Sequence, residues 1–461
     1  MQKTLTSGSP WRVIVLFSIP LLLGNIVQQL YQVADAIVVG RILSVDSLAA
    51  VGTTGSIVFL VIGFAWGMTS GFAIPTAQAY GARDMEALRR SVAIGAILSA
   101  AVSVFLTFVG MTYCRQMLEL LQTPPSLLEE ATVFAQVSFA GTAAIVFFNF
   151  LSAVIRAIGD SKTPLIFLAI SCLLNIALVF VLVRYTSLGV GGAALATILS
   201  QAISVVLCLL YVMRSVPILH VRRTDWSDSF RDAGTHLKLG LPMGFQSSII
   251  AIGALAVQVR LNLLGPQAVA AYTTATRVDG LAVAFLASLG LAVTTYVAQN
   301  FGARSFDRVR QGARQAYMAG TVVAVIMAVI LIAAGSPIVR VFVGDGEEAV
   351  VSMAHEYLVV NGILYVVLST LFVAKGALQG IGRVLIPTVA GFMELALRVV
   401  AAIELGGQFG FSGVVWANPL AWIAAGGVLV VAWMSAGKNL GAQTKEQEIR
   451  DEQEPCVLDA A

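Results

Sequence analysis

Long apolar runs, cut at intervals by turn signals and charges, fill most of the chain. A membrane-crossing helix needs ~20 mostly apolar residues. Twelve segments meet that length: 12–38, 47–79, 91–114, 127–155, 163–183, 188–213, 237–264, 267–298, 315–335, 350–374, 385–404 and 409–436. The runs lack the strict alternation of apolar and polar residues that marks outer-membrane strands. The first segment, in which Trp11 and Arg12 precede a long apolar stretch containing Pro20, is too long for a signal-peptide core and has no small-residue cleavage site, so it reads as a span.

The pattern repeats. Pro20 in SIPLLLGN answers to Pro242 in LGLPMGFQ, and Thr53-Thr54 to Thr273-Thr274. AQAYGAR (77–83) answers to AQNFGAR (298–304), IGDSKTP (158–164) to IGRVLIP (381–387), and LGVGGAA (188–194) to FGFSGVV (409–415). The offsets are 222, 220, 221, 223 and 221, so the landmarks keep order and spacing. Each repeat holds six spans, so both halves enter the bilayer from the same side. The predicted fold is all-α and integral to the membrane: twelve transmembrane helices in two six-helix bundles related by a pseudo-two-fold axis along the membrane normal. The expected divisions are an N-terminal lobe over 1–213, a cytoplasmic linker loop over 214–236, a C-terminal lobe over 237–436 and a disordered cytoplasmic tail over 437–461. Two similar bundles facing each other leave a cleft that rocking opens to one side and then the other, the geometry of alternating access.

Composition agrees with this reading. Of 461 residues 58% are hydrophobic and only 11% charged, too few charges to cover a soluble surface, and the mean hydropathy is +0.88. An ordinary soluble enzyme, a DNA-binding protein and a disordered scaffold are excluded. With the N-terminus placed inside, twenty-one of the 28 basic residues fall on the inner face, four outside and three within spans, which predicts that both termini are cytoplasmic. The four cysteines lie far apart with no CxxC, so neither a metal site nor a disulfide frame is expected. HExxH, GxGD and Walker A motifs are absent, which argues against an intramembrane enzyme and an ATP-driven pump.

Several stretches resemble one family. A Pro-bent first span reaching QQLYQVADAIVVGR, then LAAVG, the repeated GAR loops, RAIGDSKTP before span five and GVGGAALAT at span six are similar to MATE multidrug exporters over about residues 12–436. The resemblance implies twelve helices in two lobes, export of cationic or amphipathic drugs, and coupling to inward H⁺ or Na⁺ flow. It implies a multi-pass protein of a bacterial cytoplasmic (inner) membrane, working as a monomer without a cofactor, a nucleic-acid partner or an enzymatic reaction.

The polar residues inside spans carry the candidate chemistry. An ionisable group at the centre of a membrane helix costs ~2.5–3.5 kcal/mol on insertion scales. Asp35, in the outer half of span one, is the expected carrier of the coupling ion, neutral where water is excluded and charged where water or a cation reaches it. Asn175 in span five and Thr197 in span six offer neutral oxygens that suit a hard cation. In the MATE pattern these three positions form the ion site. The family often has a second acid one turn after the Asn, where this chain has Val179, and the change favours H⁺ coupling or weak Na⁺ binding. Tyr31, one turn from Asp35, is placed to donate a hydrogen bond to it, and Asn149 matches a network position of the family. Asn25, Gln28 and Gln32 share a face of span one and, with Gln201, are candidates to line the substrate cleft. Interhelical hydrogen bonding is the competing account of each.

In the second half, Glu394 and Arg398 have the i, i+4 spacing of an intrahelical ion pair. Arg398 occupies the repeat position of Asn175 and would repel a cation. Asp279 follows Arg277 by two residues, and Arg398 is a candidate partner for it across the bundle. This group reads as structural. Arg260 is expected to snorkel. Pro20 and Gly24 make span one a candidate bending element. The rival function is export or flipping of a lipid-linked or anionic metabolite on the same broad architecture. Arg260, Arg277 and Arg398 keep that rival open.

Overall fold

The structure is a computed structural model that describes residues 4–344 and 346–453, which are helical apart from short turns and connections. The first half comprises α1 (Pro10–Ile42), α2 (Val45–Gly81), α3 (Met85–Leu120), α4 (Pro125–Ala140), α5 (Thr142–Ala157), α6 (Lys162–Tyr185) and α7 (Gly189–Ser215). After the short α8 (Arg223–Asp228) come α9 (Ala233–Leu264), α10 (Pro266–Gly302), α11 (Phe306–Val343), α12 (Glu348–Ile363), α13 (Tyr365–Gly380), α14 (Leu385–Phe409), α15 (Phe411–Val415) and α16 (Ala417–Gln453). Among the described residues nine helices are long and apolar enough to cross a membrane, or eleven when each of two bent pairs counts as one span. The 32 residues of α9 are long enough to make the twelfth.

The bent pairs are α4 with α5, at 47°, and α12 with α13, at 51°. The sequence predicts unbroken spans there, because apolar residues run straight through both breaks. Gly141 is the break in the first pair. It packs so closely against α7 that a Cβ on it would lie 2.1 Å from Ile198. The second break, at Leu364, takes the corresponding place in the second repeat.

Backbone geometry follows the repeat as well. Arg83 and Arg304 both take positive φ, 58° and 54°, ending their helices with the same turn: Arg83 N–H donates to the Tyr80 carbonyl and Arg304 N–H to that of Phe301. Gly159 and Gly382 form a second matched pair, at 93° and 83°, and Gly189 and Gly410 a third, at 52° and 63°. A non-glycine residue at positive φ is uncommon, and here an arginine takes it at the same position of both repeats.

The chain forms two compact units. The first contains residues 19–79 and 84–256, and the second 4–18, 80–83 and 257–453. They do not coincide with the sequence halves divided at 214–236, and the packing says why. In the first unit α9 lies tightly on α2: a Cβ on Gly67 would sit 2.2 Å from the Met243 carbonyl oxygen, and one on Gly71 2.6 Å from the Gly240 Cα. In the second unit the chain start is pinned by side chains of α10 and α11. Leu5 N–H donates to Gln299 at 2.9 Å, the Arg308 guanidinium donates to the Gly8 carbonyl, and Trp11 N–H donates to Gln315.

The stretch read as a linker loop is folded onto the start of α3. Asp225 accepts from the Arg89 guanidinium at 3.0 Å and from the Arg222 N–H at 2.7 Å, and Arg90 reaches Asp232 at 3.4 Å. Buried His236 closes the contact: Nδ1 meets the Asp232 carbonyl and Nε2 the Ser91 hydroxyl, which in turn meets Thr76. A carbonyl only accepts, so Nδ1 carries the proton and Ser91 donates to Nε2. At the other end of the chain α16 continues as helix to Gln453, where the sequence reading places a disordered tail from 437. Residues 454–461 of that tail lie outside the described residues.

Candidate functional site

In the first unit α1, α6 and α7 bring the polar residues of three spans together. The Tyr31 hydroxyl donates to Thr197 Oγ1 at 2.8 Å and accepts from Asn175 Nδ2 at 3.1 Å. Asn175 Nδ2 also approaches Thr197 Oγ1 at 3.3 Å. Asn175 is fully buried, and its Oδ1 has no hydrogen-bond partner. Asp35 stands one turn beyond Tyr31, half-buried, and its Oδ1 is likewise buried and unpartnered. Two acceptor oxygens with nothing to accept are costly inside a protein, of order 1–3 kcal/mol each. Both suit a proton donor or a hard cation.

Below this network lies a cavity of about 50 Å³, room for one or two water molecules. Gln28, Tyr31, Gln32, Ser171, Cys172 and Gln201 line it. Ser171 Oγ and Gln201 Oε1 are buried without partners. Beyond Asp35 the surroundings turn apolar: Val39, Val179, Val183, Ala193 and Ala196 form a buried cluster. Val179, where a second acid would have enriched the site, is part of that cluster. Along α1, Asp35 therefore stands between Tyr31 and Gln32, which line the cavity, and Val39 of the apolar cluster.

In the second unit the buried acid is Asp279. It accepts from the hydroxyls of Tyr357, at 3.2 Å, and Tyr365. Tyr357 also accepts from Asn418 at 3.4 Å and packs edge-on against Tyr272 with ring centroids 5.2 Å apart. On α14 Arg398 pairs with Glu394, both mostly buried.

The repeat, the two half-sites and the helix count converge on one comparison. The MatE family profile matches the chain twice, over residues 20–181 and again over 242–403. The chain belongs to the MatE family. The probable multidrug resistance protein YpnP of Bacillus subtilis is 30% identical to it over 382 residues, 82% of this chain and 84% of YpnP. The probable multidrug resistance protein YoeA of the same organism is 29% identical over 394 residues, 84% of this chain and 85% of YoeA. A crystal structure of MATE in the bent conformation shares the fold, with a TM-score of 0.87 at 23% identity over 96% of this chain and 98% of that one.

Within this MatE chain several residues stand elsewhere than the sequence suggests. Tyr31 gives its proton to Thr197 rather than to Asp35. Asn149 donates to the Ile145 carbonyl one turn back on its own helix, at 2.8 Å, rather than joining the network. Gln28, Gln32 and Gln201 line the cavity; Asn25, on the same helix, does not. Asp279 takes its hydrogen bonds from two tyrosines, and no ion pair joins it to Arg398 among the described residues. Arg260 donates to the Gly406 carbonyl at 2.9 Å, three residues from the Phe409 end of α14. Pro20 lies inside an α1 that stays helical throughout, two residues past Ser18, where the chain passes from one unit to the other. Gly24 faces Leu165 and Leu168 of α6. Ser171 is a polar cavity residue that the sequence reading missed. Its place one turn before Asn175 on α6 was the available signal.

Proposed function

We propose that this MatE protein is a secondary exporter of cationic or amphipathic drugs, driven by inward H⁺ flow through alternating access, with both termini cytoplasmic in a bacterial inner membrane. The observation that carries the reading is the buried, unpartnered Oδ1 of Asp35 beside the Tyr31–Asn175–Thr197 network. The names of YpnP and YoeA as probable multidrug resistance proteins support the substrate class.

Asp35 binds a proton when its cavity communicates with the outside and releases it when the cavity is rewired to the inside. Tyr31, Asn175 and Thr197 hold the helices in register and stand ready to stabilise the charged form. Pro20, with no N–H to give, and Gly24 let α1 bend as this happens. Na⁺ is the second reading, favoured by the two free oxygens of Asp35 and Asn175. A single carboxylate and two neutral oxygens are a thin ligand set for it, and among the described residues no cluster of three or more acids, histidines or cysteines adds to it.

The test is efflux of a fluorescent cation from proteoliposomes under a pH gradient or a Na⁺ gradient alone. The expected result is transport on the pH gradient, lost in Asp35→Asn with an unchanged melting temperature. Wild-type rates in Asp35→Asn would refute the mechanism. Transport on Na⁺ alone would replace the ion.

A further inference from the structure

The folded stretch between α7 and α9 has two faces, and α3 takes only one of them. From Arg223 onward it is helical, through α8 and a single 3-10 turn (Ser229–Asp232) into α9. Asp225, Ser229, Asp232 and His236 recur at i, i+4, i+7 and i+11, which places them on one side. That side is turned inward: Asp225, Ser229 and His236 are buried, and Asp225 and Asp232 are bonded to Arg89 and Arg90 of α3. Arg223, Trp226 and Phe230, at i, i+3 and i+7, fall on the other side. Trp226 is 42% exposed and Phe230 63%. Two large rings one turn apart on a surface, rimmed by charge, mark a docking face.

The charge left on that face is positive. Of the acids Asp225, Asp228 and Asp232, the first and last bond to α3, so Asp228 alone stands exposed among them. Against it stand Arg222, Arg223 and Arg231, all exposed, and no ion pair joins any of the three to an acid among the described residues. The contact with α3 also fixes where the face lies. Arg90 shares its side of α3 with Ala101, Val104, Phe105 and Phe108 on successive turns. Val104, Phe105 and Phe108 are 61–71% exposed, the lipid-facing stripe of a membrane span. Asp232 meets Arg90 on that same side, just before the apolar run that opens at Ser91. The stretch thus lies beside the foot of α3 at the level where hydrocarbon ends, and its aromatic face looks away from the helices it is docked on. Tryptophan is enriched at that level, where its amphipathic ring suits the headgroup layer.

We propose that residues 222–231 are an interfacial anchor for anionic phospholipid. Trp226 and Phe230 enter the headgroup layer beside α3, and Arg222, Arg223 and Arg231 hold phosphate-bearing anionic headgroups around them. The membrane surface is the occupant because the face joins what such a surface requires: apolar rings at the interface, unpaired arginines that match its negative charge, and a position against a lipid-facing stripe. A guanidinium gives a headgroup phosphate two parallel N–H donors. The same residues grip α3 from behind, so lipid on one face and the Arg89–Asp225 contact on the other hold the stretch in one conformation. The anchor is independent of what the protein carries and of the ion that drives it.

Lipid beside Trp226 can be read directly, because bromine on an acyl chain quenches tryptophan only at close approach. Full-length protein is reconstituted in phosphatidylcholine bilayers with a minor share of phosphatidylglycerol. The brominated chains are placed on one lipid or on the other at equal mole fraction. The signal of Trp226 among the six tryptophans is the difference between the wild type and Trp226→Phe. One arginine at an anionic surface is worth roughly a fivefold preference. Brominated phosphatidylglycerol is therefore expected to quench Trp226 about fivefold more strongly than brominated phosphatidylcholine. The ratio should fall to near one in the triple variant Arg222→Gln, Arg223→Gln, Arg231→Gln. High salt should lower it in the same way without any substitution, since exposed charges are screened. Absence of quenching of Trp226 by either brominated lipid overturns the anchor and leaves the face to a protein partner. Equal quenching by the two lipids in the wild type, or a ratio that the triple variant and salt leave unchanged, overturns the anionic-lipid site.

Discussion

Two glycines on one helix, α2, should respond to alanine with opposite signs. A Cβ on Gly67 would fall 2.2 Å from the Met243 carbonyl oxygen and 2.6 Å from Ser247 Oγ, whereas one on Gly52 meets nothing within 4 Å. Ordinary contact begins near 3.4 Å, so Gly67→Ala is far short of space, and the obstacle is backbone. The serine can rotate away, but the carbonyl moves only if α9 moves. Forcing a packed interface apart typically costs ~1–3 kcal/mol. Alanine returns about 0.5–1 kcal/mol through the lower entropy of the unfolded chain. The net effect is a loss of up to about 2.5 kcal/mol for Gly67→Ala and a gain of up to ~1 kcal/mol for Gly52→Ala. Thermal unfolding of purified protein in detergent, followed by far-ultraviolet circular dichroism, measures both. If Gly67→Ala melts at or above the temperature of Gly52→Ala, the close approach of α2 and α9 is not what joins residues 240–247 to the first unit.

Asp225→Ala removes the partner of an Arg89 that is only 15% exposed, and should destabilise the folded linker by about 3 kcal/mol. Trypsin should then cut after Arg222 or Arg223 much faster than in the wild type, and an unchanged rate would count against the docking contact. Thr197→Val takes the acceptor from Tyr31 and Asn175, at a cost of roughly 1–3 kcal/mol, while Thr197→Ser should restore stability. The melting temperatures of the two variants decide this. Tyr365→Phe leaves Asp279 with Tyr357 as its remaining hydroxyl donor and should lower the melting temperature, with Tyr272→Phe changing it less. Equal effects would mean that Asp279 does not draw on Tyr365.

Spans, repeat and family were legible in the sequence because each leaves a long-range signal: length of apolar run, constant offset, ordered motifs. Asp35, Asn175 and Thr197 stood out because polarity inside hydrocarbon needs a reason. The hydrogen-bond partners could not be read the same way. Helical spacing puts Tyr31 on the face of Asp35, but its hydroxyl reaches past the helix to Thr197, a choice set by where α7 packs. Asn149 is polar and inside a span, yet a carbonyl one turn back satisfies it, which periodicity cannot distinguish from a network role. The breaks at Gly141 and Leu364 hid in continuous apolar sequence. The docking of 217–232 on α3 hid because a charged stretch between spans looks the same whether its charges meet water or Arg89.

Cys172 opens on the small cavity beneath Tyr31, while Cys114 and Cys208 are buried elsewhere. Among the described residues the protein therefore has in Cys172 a thiol that borders a cavity. It also contains its own clock. A small alkylating reagent can react with Cys172 only after water has reached the cavity, so the rate at which that thiol is consumed would time the wetting of the pocket beside Asp35 in an otherwise unmodified protein.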